Sequence, residues 1–332
     1  MDYSKYSSSF SIDWLEVEIT LNENSNQQTI RRKVIEASRR FGLNIPDEED
    51  IKQDPEKNPT HIKPSITLES SGGACKVFKF KLFDIQYKKQ VIDTINALHD
   101  EKNISEVKFT AIEIARDFRS MEKLRDLANR EHAELLAHYY KFMRKPASNN
   151  HRVYDLIYKS TDGVLSKAWL INHFTLSDTT IWIGSQKKYN GQQADPVAQR
   201  LYNKVTDRNK PLDPSTHRAR FEITLQGKGM PFSDIGGLMA FKLETQASHF
   251  YLSKLTDAEK LEIAFNPLKK LIFNKKQQIG APQCIGMKSI QIGKNRLKVG
   301  KFYKGIEADK TENRKIKTDL ENLTKSLNRN MK

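Results

Sequence analysis

Two stretches, RLYNK (200–204) and RARFEITLQGK (218–228), decide how the chain is read. In the second, Phe221, Ile223 and Leu225 alternate with Arg220, Glu222 and Thr224, the period of a half-buried strand. In the first, Arg200, Tyr202 and Lys204 share one side by the same rule. The residues between include Pro211 and Pro214 among Asp and Asn, which is turn composition. A hairpin is therefore expected over roughly 200–205 and 218–226. If it folds about residue 212, Tyr202 lies opposite Glu222 on the neighbouring strand. A slip of one residue would turn the two groups to opposite faces.

Similar alternation recurs upstream. SIDWLEVEITL (11–21) reads as a strand with Asp13, Leu15, Val17 and Ile19 on one side. ACKVFKFKLFDI (74–85) places Phe78, Phe80 and Leu82 inward, with Lys79 and Lys81 outward. EVKFTAIEIARDF (106–118) is a further strand, with short ones at 153–158 and 180–184. Helices are expected over 29–42, where Ile30, Val34, Ala37 and Phe41 form a stripe that stops at Gly42, over about 88–99, and from Met121 to near Arg144. The segment from Pro46 to Pro64 carries four prolines and many acids, an exposed insertion. Beyond residue 250, helical pieces (LTDAEKLEIAF, NPLKKLIF) give way to a basic tail. These elements predict an α+β fold, a central mostly antiparallel sheet with flanking helices. The boundary is expected near 250, with one domain over 10–250 and a basic segment over 251–332.

The charge balance limits the partners. Over 332 residues, 56 Lys+Arg stand against 41 Asp+Glu, a net charge of +15. A polyanion is the expected partner, and nucleic acid fits better than a membrane, because the cations do not gather on one amphipathic helix. No apolar run nears the roughly 20 residues that span a bilayer. The polar N-terminus lacks the apolar core of a signal peptide. Cys75 and Cys284 form no CxxC pair, so a reducing cytoplasm is the expected location. No GxGxxG or GxxxxGK[ST] follows a strand, which argues against a dinucleotide or phosphate-loop site.

Four carboxylates fall in strand-like segments. Glu113 and Asp117 share a strand face with the small Ala115 between them, while Ile112 and Ile114 face the core. Paired carboxylates on one face repel unless a cation lies between them. Solvated acids matched to nearby lysines would give the same pattern. Glu222 is the third acid, and Asp13 is a candidate fourth. Carboxylate oxygens favour Mg²⁺ or Mn²⁺. The histidines show no HxH or HExxH spacing, although His217 opens the Glu222 strand. Tyrosine hydroxyl, acids and cations together are what attack on a phosphodiester requires.

TIWIGS (180–185), RLYNK (200–204) and RARFEITLQGK (218–228) occur in an order that resembles rolling-circle replication initiators of the replication-initiation-factor (Rep-trans) type. SIDWLEV looks like that family's first strand, and AIEIARDF is similar to its acidic strand, which more often reads RIDLAIDF. The resemblance covers about residues 11–228. It implies a relative of the HUH endonuclease fold in which acids replace the paired metal-binding histidines. By position it implies Tyr202 as the nucleophile, aided by Lys204, and Glu113, Asp117 and Glu222 as ligands for Mg²⁺ or Mn²⁺. Arg200, Arg220 and Lys187 would contact DNA. Domain 10–250 would nick and rejoin, and 251–332 would bind DNA or serve as an accessory. Two departures are visible. Glu113 stands where Asp is more usual, and an insertion near 189–196 makes Tyr189 a rival nucleophile. The resemblance implies DNA as partner, at a replication origin and its single-stranded nick site, with a host helicase and a second copy as further candidates. A conjugative relaxase would use the same chemistry. A non-catalytic origin-binding initiator would need a helix-turn-helix segment, and no convincing one is present.

Overall fold

Strand β1 (Tyr6–Asn26) is the long element around which the sheet is built. Helix α1 (Gln27–Arg40) follows it directly, capped by Asn26, whose side chain accepts from the Gln28 N–H at 2.8 Å. Then come β2 (Lys63–Pro64), β3 (Ala74–Phe83), α2 (Lys88–Lys102), β4 (Ile104–Ser120), β5 (Ile181–Ile183), β6 (Val197–Lys204) and β7 (Arg218–Gln226). A short helix α3 (Ile235–Ala240), a 3₁₀ segment (Leu243–Phe250) and the terminal helix α4 (Lys310–Leu327) complete the core. The computed structural model describes residues 6–43, 63–64, 74–121, 158–160, 163–165, 181–183, 195–207, 210–251, 253–255, 290–292, 295–297 and 306–331. The helix expected beyond Met121, nearly all of the 46–64 insertion and of the strand expected at 153–158, the helical pieces expected after residue 255, and Lys187 and Tyr189 lie outside these residues.

The seven strands form one sheet in the order β2-β3-β1-β4-β7-β6-β5, every neighbour antiparallel. The fold is α+β, as its pattern of alternation predicts. Leu15, Val17 and Ile19 stand across from Leu82, Phe80 and Phe78 on one face. Ile112, Ile114, Phe221, Ile223 and Leu225 continue that face through β4 and β7, all buried. Ile30 and Val34 of α1, and Val91, Ile95 and Leu98 of α2, belong to the same core. Each such side chain contributes about 1.5–3 kcal/mol by leaving water. Among the described residues no helix is long and apolar enough to cross a membrane.

Two details of register correct the expectations. First, Tyr202 pairs with Arg220, and Glu222 with Arg200, a shift of two residues from the hairpin turning about 212. An even shift keeps every side chain on its expected face. Second, β1 does not alternate through Asp13. Ile12 stands across from Ile114 and Trp14 across from Glu113, so Asp13 is an extra residue on β1, a β-bulge. Ile12 and Leu15 both enter the apolar core. Asp13 and Trp14, adjacent in sequence, both bond to residues of the opposite, polar face.

Helix α4 lies in the segment expected as a basic accessory beyond residue 250, and it packs on the sheet. Ile316, Leu320 and Leu327 are buried in the common core, with Leu323 packed against it. The Leu243 N–H donates to Thr324 Oγ1 at 2.9 Å. Arg116, on the apolar face of β4 and fully buried, donates to Glu312 of α4. Its guanidinium also lies 4.4 Å from the Phe118 ring centroid. This helix of the basic segment therefore shares the core of the sheet. Removing one partner of a buried ion pair leaves a bare charge at a cost of about 3–5 kcal/mol, whereas replacing both with apolar groups is often neutral. Glu312→Ala should lower unfolding free energy by that order in urea titrations, and Arg116→Met combined with Glu312→Leu should recover most of it. An unchanged midpoint for Glu312→Ala would show that the pair does not hold α4.

Candidate functional site

The polar face of β1, β4, β7 and β6 carries a layer of charge. Glu113, Ala115 and Asp117 alternate along β4, and Arg220, Glu222 and Thr224 stand beside them on β7. Arg200 and Tyr202 follow on β6. The β1 bulge adds Asp13 and Trp14. Glu113 and Glu222 are wholly buried, and Asp117 and Arg220 nearly so.

Each acid has definite partners. Glu113 Oε1 accepts from the Trp14 indole N–H at 2.7 Å and from Arg200 Nη2 at 3.1 Å, while Thr224 Oγ1 donates to Glu113 Oε2 at 2.6 Å. Glu222 Oε1 accepts from the Tyr202 hydroxyl at 2.6 Å, and Arg200 donates to Glu222 Oε2. Asp117 is gripped by Arg220, with Nε at 2.6 Å and Nη2 at 2.8 Å, and by Arg218 Nε at 3.0 Å. Arg220 Nη1 reaches Asp13 at 2.6 Å. The planar guanidinium forks suit such two-pronged contacts.

The electrostatics follow from burial and pairing. Burial, then the charge of Glu113, pushes the Glu222 carboxyl up to about 7, against the pull of Arg200 and Arg220. Burial and the Glu222 charge hold the Tyr202 phenol well above its ordinary value of 10. Burial opposes the Asp117 charge, but Arg220, Arg218 and Arg119 outweigh it and hold that carboxyl below its ordinary value. Burial likewise opposes the Arg200 charge, and Glu222 and Glu113 more than restore it.

The expected residues divide into groups. Tyr202, Arg200, Glu113 and Glu222 converge. Arg220 is buried among Asp117 and Asp13, away from the surface where it was expected to meet DNA. Lys204 Nζ pairs with Asp207 at 2.7 Å. His217 bonds the Leu212 carbonyl in its own loop at 3.2 Å, away from the acids. Carboxylate oxygens of Asp13, Glu113 and Glu222 lie within 4.8 Å of one another, a group able to hold a metal ion. Asp117, expected as a ligand, is not among these three residues, whereas Asp13 is. Hard oxygen donors suit a hard divalent cation.

Two further residues enter the layer unforeseen. Trp14 orients Glu113 through its indole N–H, and Lys81 Nζ lies 3.2 Å from the Trp14 ring centroid. Burial lowers the Lys81 pKa, with Glu113 and Glu16 opposing the shift. The alternation that turned Lys81 away from the apolar core was the available signal. Trp14 had none, because its direction depends on the bulge.

No family model matches the chain, and no curated protein does. A solved structure of a rolling circle replication initiator protein from Geobacillus stearothermophilus is 14% identical, over 74% of this chain and 80% of that one, at a TM-score of 0.28. A class II 3-hydroxy-3-methylglutaryl-CoA reductase from Streptococcus pneumoniae bound to NADPH is 11% identical, over 82% and 75%, at 0.24. Similarity at these scores carries no argument about activity.

The raised Glu222 carboxyl has a signed consequence for stability. The folded protein keeps this proton to about pH 7, while an unfolded glutamate loses it near its ordinary 4.5. Its contribution to stability is complete below 4.5 and is lost as pH rises through 7. The melting-temperature difference between the native protein and Glu222→Gln should therefore move against the native protein across that window and level off above it. A difference that is flat, or moves the other way, would refute a buried protonated Glu222.

Proposed function

We propose that this protein nicks and rejoins single-stranded DNA through a covalent bond to Tyr202, and so starts rolling-circle replication of a plasmid or phage. The observation that carries the proposal is the Tyr202 hydroxyl, bonded to Glu222 Oε1 at 2.6 Å within a group of acids and arginines. The order of RLYNK and RARFEITLQGK, and their resemblance to replication initiators, supports the same reading.

In this reading the phenol gives its proton to Glu222 Oε1. A carboxylate that titrates near neutrality suits that exchange. The phenolate oxygen attacks phosphorus, the bond from phosphorus to the 3′ oxygen breaks, and that oxygen takes up the proton Glu222 received, directly or through water, to become the free 3′-OH. The 5′ side stays on Tyr202 as a phosphodiester, ready for attack by a 3′-OH on rejoining. Because the phenol resists ionisation, it needs positive charge nearby. Arg200, 5.2 Å from the Tyr202 ring centroid, supplies part of it and is placed to meet a phosphate. Asp13, Glu113 and Glu222 would hold Mg²⁺ or Mn²⁺. Such a cation, when bound, polarises a phosphate oxygen and offsets developing negative charge. Trp14 and Thr224 fix the Glu113 carboxylate, and Arg220 holds Asp13 and Asp117 in place.

A conjugative relaxase would act identically, and the neighbouring genes would distinguish it. A non-catalytic origin-binding protein is the second reading. It is favoured by the extent to which arginines already neutralise the acids.

Tyr202→Phe should abolish nicking and adduct formation on origin oligonucleotides, yet leave DNA affinity within a few fold, because affinity comes from cations. Nicking by this variant would return Tyr189 to consideration. EDTA should stop the reaction. Asp13→Asn should raise the Mn²⁺ concentration needed, whereas Asp117→Asn should chiefly lower the melting temperature. Equal Mn²⁺ requirements for native protein and Asp13→Asn would remove Asp13 as a ligand.

A further inference from the structure

Arg220 and Arg200 of the charged layer are held differently. Arg220 is 4% exposed, and its guanidinium is fastened by both oxygens of Asp117 and by Asp13. Arg200 is 25% exposed and reaches inward from β6 to Glu113 and Glu222. These are two of the three acids whose oxygens come together, so the Arg200 guanidinium sits on carboxylates that a divalent cation would use, while Arg220 Nη1 holds the third, Asp13, and lies 3.5 Å from Glu222 Oε1. A cation bound there and Arg200 in this position therefore compete, because like charges in a poorly solvated layer repel strongly. Arg200 also lies beside Tyr202, where a scissile phosphate must come, and a guanidinium fork binds phosphate as readily as carboxylate.

Resting on the proposed nicking site, we propose that Arg200 is an exchangeable counter-cation: it neutralises Glu113 and Glu222 in the free protein and moves onto the DNA phosphate when single strand binds. That move frees Glu113 Oε1 and Glu222 Oε2, the oxygens Arg200 holds, for the divalent cation. DNA and the cation then bind with positive coupling, and each raises the affinity for the other by one factor. The device would keep the cation site closed until substrate is present. Arg220, locked by Asp117, keeps Asp13 in position throughout.

The test is Mn²⁺ binding to the full-length protein, followed by the electron paramagnetic resonance of free Mn²⁺. It is run with and without a dT oligonucleotide and corrected for the oligonucleotide's own binding. Without DNA, Arg200→Gln should bind Mn²⁺ about tenfold more tightly than the native protein, in the usual range for coupled sites. The oligonucleotide should tighten Mn²⁺ binding to the native protein by a similar factor and barely affect Arg200→Gln. Arg200→Lys, which keeps the charge but loses the fork, should show a smaller gain of the same sign, and it decides the question if Arg200→Gln does not fold. Glu113→Gln should weaken Mn²⁺ binding in every case. If Glu113→Gln weakens binding but neither Arg200 variant tightens it, the exchange is overturned and the cation site stands. If Glu113→Gln leaves Mn²⁺ binding unchanged, the cation site itself is wrong and the exchange falls with it.

Discussion

Carboxylates buried on the face of a sheet must be neutralised where they stand, and most of the arrangement here follows from that constraint. Asp13, Glu113, Asp117 and Glu222 occupy one face of the sheet, and Arg200, Arg218 and Arg220 are woven among them. A buried carboxylate left alone would take up a proton rather than stay charged. The guanidiniums come from β6 and β7, so β7 must pair with β4, and β6 with β7, in one register for the layer to exist. The apolar face imposes the same register through Phe221, Ile223 and Leu225. The two faces of the sheet thus demand one alignment for different reasons, which is the agreement between levels expected of a well-specified fold.

The alternation of β3, β4 and β7 was plain in the sequence because each strand has one apolar and one polar side. The faces of Glu113, Asp117, Glu222 and Tyr202 were legible for that reason. The hairpin register was not, since Pro and Asp mark where a turn lies but not how many residues it spends. The error of two residues was harmless to the chemistry. At Asp13 the error mattered. Strict alternation put it with Leu15 and Val17, and only the inserted residue of the bulge turns it toward Arg220. Bulges near functional sites often re-aim side chains in this way, and they leave little trace in a single sequence. Helix α4 was missed for another reason. Its apolar residues Ile316, Leu320, Leu323 and Leu327 recur at helical spacing, but the surrounding lysines made the segment read as a basic tail that binds DNA or serves as an accessory.

The same bookkeeping of charge shapes the chemistry. The Tyr202 phenol resists ionisation as it stands, because it is buried and the acid that accepts its hydrogen bond repels its anion. A site that holds its acids with movable cations can change that balance when phosphate arrives. In the proposed exchange, Arg200, partly exposed, would be the mobile cation and Arg220, locked by Asp117, the support. On the other face, Arg116 and Glu312 tie α4 to the strand that carries Glu113 and Asp117, so the chain's last helix braces the strand beneath the site.

The most direct measurement is the position of the covalent bond. The full-length protein would be incubated with single-stranded origin DNA and Mn²⁺, digested with nuclease and trypsin, and its peptides mapped by mass spectrometry. Trypsin cuts after Arg200 and Lys204, so residues 201–204 are released with Tyr202 as their one hydroxyl-bearing side chain. A 5′-phosphonucleotide is expected on that tyrosine. A nucleotide on the peptide containing Tyr189, or none on any tyrosine, would contradict it.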